Sequence, residues 1–426
     1  MQEIKLSKLD EVIYYDICDN GLPVYMWVNN KVNNFYATIN FKYGSVDTEF
    51  KLEGEKEYTK VSDGIAHFLE HVKFNEKDGK TAHDYFNELG SSINAFTTFE
   101  FTSYEVFSST EFEKNLTHLL DYTQDGYFTK ALVNKEKGII TEEVKMGKNN
   151  PGHKLYYGMN KALFKKDKRR NLITGEVKDV KGITVEEIKK VFDVFYHPMN
   201  SFVVITGNFD PEEAMKIIKK NQEGKKFKKY KNPIKKEVKE PLLVKEEYKE
   251  IEANVELPKV KIAYKMPLSV FGDMDKRLVN IYLSIILRNN FGPTSLFRDE
   301  LLEKGLVTGI GATREIFKDV VTIEVNLETR DPDKVIKLVK DKINNMSLTE
   351  EEIKRRIRSN IASLINDYDD IEYVNSDIVD QLITNGFVAD NLYDVYSNLN
   401  LDEANYVMSK IDLSNGSVVM LVPFKD

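Results

Sequence analysis

The chain has 426 residues, of which 41% are hydrophobic and 31% are charged, a composition typical of globular proteins with two to four domains. The formal net charge of −8 argues against non-specific nucleic-acid binding, and no run of about 18 apolar residues predicts a membrane span. Cys18 is the only cysteine, so the chain can form no internal disulfide. Because the first residues show no basic segment followed by an apolar one, we expect no secretory signal and a cytoplasmic location.

Residues 14 to about 43 predict strands, with Asn20-Gly21 as a hairpin turn. The next stretch, Ser62–Phe74, predicts an amphipathic helix with Ser62 or Asp63 as its N-cap. Its apolar stripe consists of Ile65, Phe68, Leu69 and Val72.

The opposite face of that helix carries His67, Glu70 and His71. Two imidazoles four residues apart lie one turn above each other and can reach one metal ion. This is the H-x-x-E-H array of inverted zinc peptidases, in which the glutamate activates water. The same spacing also occurs on solvated helices, but two of the six histidines of the chain lie here, which favours a metal site.

Residues 93–107 are rich in aromatic and β-branched side chains and predict two strands around a tight turn. A buried core sheet is the simplest interpretation. A second interpretation is that the first part is an edge strand that binds a peptide by strand addition.

Residues 132–148 predict a further helix in which Glu136 and Glu143 interrupt an otherwise apolar face. A carboxylate buried there is costly unless a cation or several donors compensate it, and zinc with its histidines would do so. Glu142 points about 100° away, so helical geometry favours Glu143 as a metal ligand. The alternative is a partly exposed stripe on which both glutamates are solvated.

Residues 226–240 are rich in lysine and predict an exposed linker between an N-terminal domain, 1–225, and a C-terminal domain, 241–426. The second half repeats the order of elements of the first, which indicates duplicated α+β domains. Both halves close on a similar strand, SFVVITGNF and GSVVMLVPF. The second half has neither histidine nor cysteine, so any zinc site belongs to the first.

Four segments occur in the order expected of one family: HFLEH from His67, then NAFT from Asn94, then EKGIITEEV, then FYHPMN with VVITGNFDPEE. The chain resembles the insulinase/pitrilysin zinc peptidases, which include the mitochondrial processing peptidase, and is most similar to their half-length bacterial members. The resemblance implies two homologous α/β-sandwich domains, each a mixed, largely antiparallel sheet with helices packed on it. Together they would form one half of a clamshell.

The resemblance also implies the roles of the site residues. His67, His71 and Glu143 would bind one Zn²⁺ per chain, and Glu70 would be the general base. Glu136 would assist catalysis as the partner of a ligand histidine. The family's substrate-binding edge strand corresponds to Asn94, Ala95, Phe96 and Thr97.

One departure concerns the second domain, where family members carry an Arg and a Tyr that stabilise the oxyanion. The matching positions here are Leu301 and Thr308, which cannot replace them. The resemblance therefore implies an endopeptidase subunit that acts on small or unfolded peptides in a closed chamber, in a heterodimer with a homologous metal-free subunit. The alternatives are a homodimeric peptidase and a non-catalytic scaffold subunit. Neither the substrate nor the cleavage site can be inferred from the sequence.

Overall fold

The computed structural model describes residues 1–424, and their contacts divide the chain into two compact units. Unit 1 comprises residues 1–144, 172–237 and 362–395. Unit 2 comprises residues 145–171, 238–361 and the segment from 396 onwards. Each unit is therefore assembled from three separate stretches of the chain.

The strands, in chain order, are β1 (Gln2–Lys5), β2 (Val12–Ile17), β3 (Pro23–Val28), β4 (Phe35–Phe41), β5 (Glu49–Leu52), β6 (Thr59–Lys60), β7 (Ser92–Thr97), β8 (Thr102–Ser108), β9 (Ser201–Gly207), β10 (Pro233–Lys235), β11 (Tyr248–Ala253), β12 (Lys259–Pro267), β13 (Gly309–Phe317), β14 (Val320–Glu328) and β15 (Gly416–Pro423).

The helices are α1 (Ile65–Lys73), α2 (Ala82–Glu88), α3 (Phe112–Gln124), α4 (Lys130–Asn149), α5 (Pro151–Leu163), α6 (Val177–Gly182), α7 (Val185–Phe195), α8 (Pro211–Glu223), α9 (Lys276–Phe291), α10 (Leu296–Glu303), α11 (Pro332–Asn344), α12 (Glu350–Asp367), α13 (Ile371–Thr384), α14 (Leu392–Ser397) and α15 (Leu401–Lys410). Within residues 1–424, no helix combines the length and the apolar character that crossing a bilayer requires.

Unit 1 is built on a seven-stranded sheet with the order β1-β2-β3-β9-β4-β8-β7. Only β3 and β9 run parallel to each other; the other neighbours are antiparallel. Every residue of the two central strands, β4 and β9, is buried, as expected for strands covered on both faces. The strand β7 lies at one edge of the sheet.

Unit 2 contains a five-stranded sheet with the order β11-β15-β12-β14-β13, in which only β11 and β15 are parallel. This connectivity is the same as that of β3-β9-β4-β8-β7 in unit 1, with the first and last strands of each motif side by side. The predicted fold, two copies of a mixed, largely antiparallel sheet with helices packed on it, is confirmed.

The contacts do not follow the predicted domain boundaries, 1–225, 226–240 and 241–426. Those boundaries place residues 145–171 in the first domain and 362–395 in the second. The contacts instead place residues 145–171 in unit 2 and residues 362–395 in unit 1. The helix α13 packs on β4 and β9, where Asn375 donates to the Val204 carbonyl at 3.1 Å and accepts from the Thr38 hydroxyl at 2.9 Å. Helical periodicity predicts that a helix buries a face, but not which sheet covers it.

The lysine-rich composition of segment 226–240 predicted an exposed linker, but parts of this segment are buried or paired. Strand β10 pairs with β5 in a small sheet of unit 1. In unit 2, the Glu240 carboxylate accepts from Lys265 Nζ and from the backbone N–H groups of residues 165–167, all at 2.8 Å. The side chains of Glu240 and Lys265 are both 2% exposed, so this ion pair anchors the end of the segment.

We expect Glu240→Ala to lower the free energy of unfolding by about 3 to 5 kcal/mol, because it leaves a buried ammonium group and three backbone donors uncompensated. Denaturant unfolding, followed by circular dichroism, measures the change. The control is Glu237→Ala in the same segment, which is exposed and should change stability by no more than about 0.5 kcal/mol. Equal losses for the two variants would contradict the anchoring role.

Candidate metal centre

Helix α1 presents the two faces that the sequence predicts. The residues of its apolar stripe, Ile65, Phe68, Leu69 and Val72, are at most 1% exposed. The helix is capped not by Ser62 or Asp63 but by Gly64, whose φ of +84° favours glycine. A Cβ at this position would lie 2.3 Å from the Thr174 carbonyl oxygen, so no other residue fits without a shift.

The imidazoles of His67 and His71 lie side by side, with ring centroids 4.6 Å apart. His67 Nε2 is 3.5 Å from one carboxylate oxygen of Glu143, and His71 Nε2 is 3.4 Å from the other. Ligand atoms of His67, Glu70 and His71 also lie within 4.8 Å of one another. Two ring nitrogens and two carboxylates therefore converge on one small volume.

Glu136 lies on the other side of His71, with Oε2 3.5 Å from His71 Nδ1. The carboxylate is buried at 4% exposure and accepts from the Asn75 amide at 3.3 Å. Asn75 was not predicted, although it lies four residues after His71 and hence one turn away, which is the signal that could have identified it.

The glutamate-bearing face of α4 is less uniform than the predicted apolar stripe. The side chain of Glu143 is 43% exposed, and Ile139, three residues after Glu136 on the same face, is 47% exposed. Leu132 and Ile140 are buried with Glu136. One glutamate is thus desolvated, and the other lies at the mouth of the cluster.

Burial raises the pKa of Glu70 to about 7, although the Thr97 hydroxyl, which donates to Glu70 Oε2 at 2.6 Å, opposes the shift. Burial and the neighbouring His71 lower the pKa of His67 to about 4. Burial also lowers the pKa of His71, but the carboxylates of Glu136 and Glu143 outweigh it and raise this pKa to about 9. His67 is therefore neutral near pH 7, which is the form that binds a metal.

The four predicted substrate-binding residues lie on β7, the edge strand that packs beside α1. Asn94 and Phe96 are exposed, and Ala95 and Thr97 are partly buried. Only Thr97 contacts the histidine–glutamate cluster, through Glu70, and this contact was not predicted. The strand pairs with β8 on one side, and within residues 1–424 no strand pairs with its other edge.

The two positions predicted to lack the Arg/Tyr pair lie in unit 2. Leu301, on α10, is 2% exposed and belongs to the hydrophobic core. Thr308 precedes β13, and its N–H donates to the Glu328 carbonyl at 3.0 Å. The buried Leu301 cannot contact a substrate, and Thr308 has neither a guanidinium nor a phenol group. Neither side chain therefore provides the oxyanion donor that Arg or Tyr would.

Residues 54–175 match the family model of insulinase, peptidase family M16, and residues 182–360 match that of the peptidase M16 inactive domain. The chain is 32% identical over 438 aligned residues to the uncharacterized zinc protease YmfH of Bacillus subtilis (strain 168), and the alignment covers 99% of both chains. The chain belongs to the insulinase family of peptidases, family M16. The match to the inactive-domain model begins after the histidine–glutamate cluster and covers most of unit 2.

Two solved structures of the family extend the comparison. A crystal structure of an M16-like peptidase from Alicyclobacillus acidocaldarius superposes with a TM-score of 0.90 at 26% identity, covering 98% of this chain and 99% of the other. Pitrilysin superposes with a TM-score of 0.74 at 16% identity, covering 99% of this chain but 46% of pitrilysin. The second likeness shows the fold alone, and this M16 chain spans about half of the pitrilysin chain.

We expect Thr97→Val to raise the pKa of Glu70 above about 7 in the metal-free chain, because the hydroxyl stabilises the ionised carboxylate. Carbon-13 NMR of the glutamate carboxyl groups, with Glu70→Gln for assignment, measures the titration. Thr97→Ser retains a hydroxyl and should leave the pKa near that of the original chain. An unchanged pKa in Thr97→Val would contradict the assigned contact.

Proposed function

We propose that the chain is a zinc-dependent endopeptidase subunit that hydrolyses peptide bonds of small or unfolded peptides. Its relatives support the class of reaction, since YmfH is named a zinc protease. One observation carries the proposal for this chain: the Nε2 atoms of both His67 and His71 lie 3.4–3.5 Å from carboxylate oxygens of Glu143.

These distances fit a metal ion better than direct hydrogen bonds. Hydrogen bonds between nitrogen and oxygen are usually 2.7–3.2 Å long. Ligands about 2.0–2.1 Å from a tetrahedral zinc ion are about 3.3–3.4 Å from one another, close to the separations found here. Two imidazoles and one carboxylate are also a common ligand set of catalytic zinc, which retains an open position.

The same reasoning assigns Glu143, not Glu70, as the third ligand. Glu143 lies close to both ring nitrogens, and its side chain is 43% exposed, which leaves its carboxylate accessible. Glu70 is buried, its pKa is raised to about 7, and one of its oxygens is engaged by Thr97. A group that exchanges a proton near neutral pH suits a general base better than a ligand.

In the proposed mechanism, bound zinc would polarise the attacking water and the peptide carbonyl. Glu70 takes a proton from the water and passes it to the leaving amine. Thr97 holds the carboxylate of Glu70 towards the cluster. The carboxylate of Glu136, 3.5 Å from Nδ1 of His71, attracts this side of the imidazole and so favours the orientation in which Nε2 lies beside Glu143. The free edge of β7, which carries Asn94, Ala95 and Phe96, binds the substrate backbone as an added strand.

The absence of the Arg/Tyr pair at Leu301 and Thr308 supports a partner that supplies the oxyanion donors. An oxyanion donor is commonly worth about 100–1,000-fold in rate. We therefore favour a heterodimer with a homologous metal-free subunit, each forming half of a chamber, and place the enzyme in the cytoplasm because a single cysteine suits a reducing compartment. The first alternative to the heterodimer is a homodimeric peptidase of the same family. The second is a scaffold subunit without catalytic activity.

We expect Glu70→Gln to lower the rate of peptide hydrolysis by about 100–10,000-fold while zinc remains bound, because the base is lost and the ligands are kept. A quenched fluorescent peptide library measures cleavage, with and without a chelator, and metal analysis measures zinc. Zinc-free, inactive protein would contradict the proposal and support the scaffold. Zinc-loaded but inactive protein, activated by a homologous metal-free subunit, would support the heterodimer.

A second test separates the adjacent glutamates of α4. We expect Glu143→Gln to reduce the zinc content sharply, whereas Glu142→Gln, an exposed neighbour on a different side of the helix, should leave it near one ion per chain. Both substitutions remove one negative charge, so a general electrostatic effect would appear equally in both. Equal zinc loss in the two variants would exclude Glu143 as a specific ligand.

A further inference from the structure

Unit 2 contains a cavity of about 330 Å³ between helices α9 and α10 and strand β13. Its wall includes three arginines, Arg288, Arg298 and Arg314, one from each of these elements. Among the described residues that line it, none is an aspartate or a glutamate. The cavity is therefore strongly positive within a chain whose net charge is −8.

The use of arginine here is selective. The sequence contains ten arginines among 61 basic residues, and three of the ten line this one cavity. Elsewhere in unit 2, Arg169 forms ion pairs with Asp167 and Glu315, both at 2.8 Å. The planar guanidinium group is suited to bidentate recognition of a carboxylate, which lysine cannot reproduce.

A fourth arginine lies behind the cavity wall, and on the wall itself the guanidinium of Arg298 has one acidic neighbour, Asp299, at 4.0 Å. Arg356, on α12, is 5% exposed and donates to the Arg288 carbonyl at 3.0 Å and to Thr294 Oγ1 at 2.8 Å. Its Nε is buried, and no hydrogen-bond partner for this atom is found within residues 1–424. Burial and the nearby Arg288 and Arg355 hold the pKa of Arg356 below its ordinary value, as expected where positive charge is in excess.

The cavity is the counterpart, in the duplicated fold, of the metal centre in unit 1. In both units the first helix after the second strand of the repeated motif packs beside the edge strand, α1 with β7 and α9 with β13. Four cavity residues of α9 repeat the spacing of the metal face of α1. They are Ser284, Leu287, Arg288 and Phe291, at the spacing of His67, Glu70, His71 and Phe74. At the position that corresponds in spacing to His71, unit 2 carries Arg288, a group that suits an anion.

The edge of β13 indicates what kind of anion fits. The strand pairs with β14 alone among residues 1–424, so its other edge presents backbone donors and acceptors. A Cβ added at Gly309 or Gly311 would meet nothing within 4 Å, so the face of the strand is uncovered at these two residues. An extended peptide satisfies such an edge by strand addition, and its carboxylates can then reach the adjacent arginines.

We propose that this arginine pocket binds a carboxylate group of an extended peptide. The carboxylate is either an Asp or Glu side chain or a free C-terminus, which share the same chemistry. Arg288 and Arg298 provide the charge, and Arg314 positions its guanidinium through the Asn280 carbonyl, which accepts from Nε at 3.3 Å. Binding at this pocket is independent of the metal; only the further step, that the bound peptide is also cleaved, rests on the proposed function.

The test measures binding in the full chain carrying Glu70→Gln, so that no peptide is consumed. Fluorescence anisotropy compares a labelled, C-terminally amidated octapeptide that has two glutamates with its glutamine counterpart. We expect the glutamate peptide to bind roughly tenfold more tightly, and Arg288→Gln to remove this preference. The glutamine peptide with a free C-terminus distinguishes the two sources: tight binding of that peptide identifies the terminal carboxylate.

The matched control is Arg330→Gln, which removes the same charge from an exposed position of unit 2 outside the pocket and should keep the preference. Arg288→Lys retains the charge without the fork and should restore only part of the affinity. Arg298→Gln provides an independent second variant, and thermal unfolding verifies that each variant folds. Equal affinity for the two amidated peptides, or an equal effect of Arg330→Gln and Arg288→Gln, would overturn the proposal. Because cleavage is not measured, failure here leaves the test of the peptidase separate.

Discussion

The buried carboxylates beside His67 and His71 are the constraint on which the histidine–glutamate cluster depends. Glu136 is buried at 4% exposure and Glu70 at 6%, and burial of a carboxylate is costly unless a partner compensates it. The imidazole of His71 provides it for Glu136, and the hydroxyl of Thr97 for Glu70. The position of α1 against the sheet, set by its fully buried apolar stripe, brings these groups together.

The histidine–glutamate cluster could be predicted from the sequence because helical periodicity indicates which residues share a face. The spacing of His67, Glu70 and His71, and that of Glu136 and Glu143, each lies within one helix and therefore fixes which side chains point the same way. The two helices carry complementary groups, imidazoles on one and carboxylates on the other, which approach one another to 3.4–3.5 Å. The contact of Thr97 with Glu70 was missed because it joins a strand to a helix, and strand alternation gives no distance between them.

The fold was predictable in type but not in the assignment of its segments. The duplication was predictable because the two halves close on similar strand sequences. Such a local sequence pattern remains recognisable in both copies of a duplicated domain. The docking of α13 onto the sheet of unit 1 depends on Asn375 contacting strands more than 160 residues earlier, and no local signal encodes such a pairing. The clustering of Arg288, Arg298 and Arg314 in one pocket was likewise not predicted, because they are ten or more residues apart on separate elements.

The discontinuity of the units has a consequence for biosynthesis. The sheet of unit 1 is complete in strands once residue 207 has been made, yet the helix that covers its central strands ends at Thr384. The ribosome must therefore release nearly the whole polypeptide before the hydrophobic face beside β4 and β9 is covered. During that interval the nascent chain exposes apolar surface, a state in which chaperones and aggregation compete with folding. The long sequence separation of these contacts also makes the final docking slow compared with the formation of individual helices.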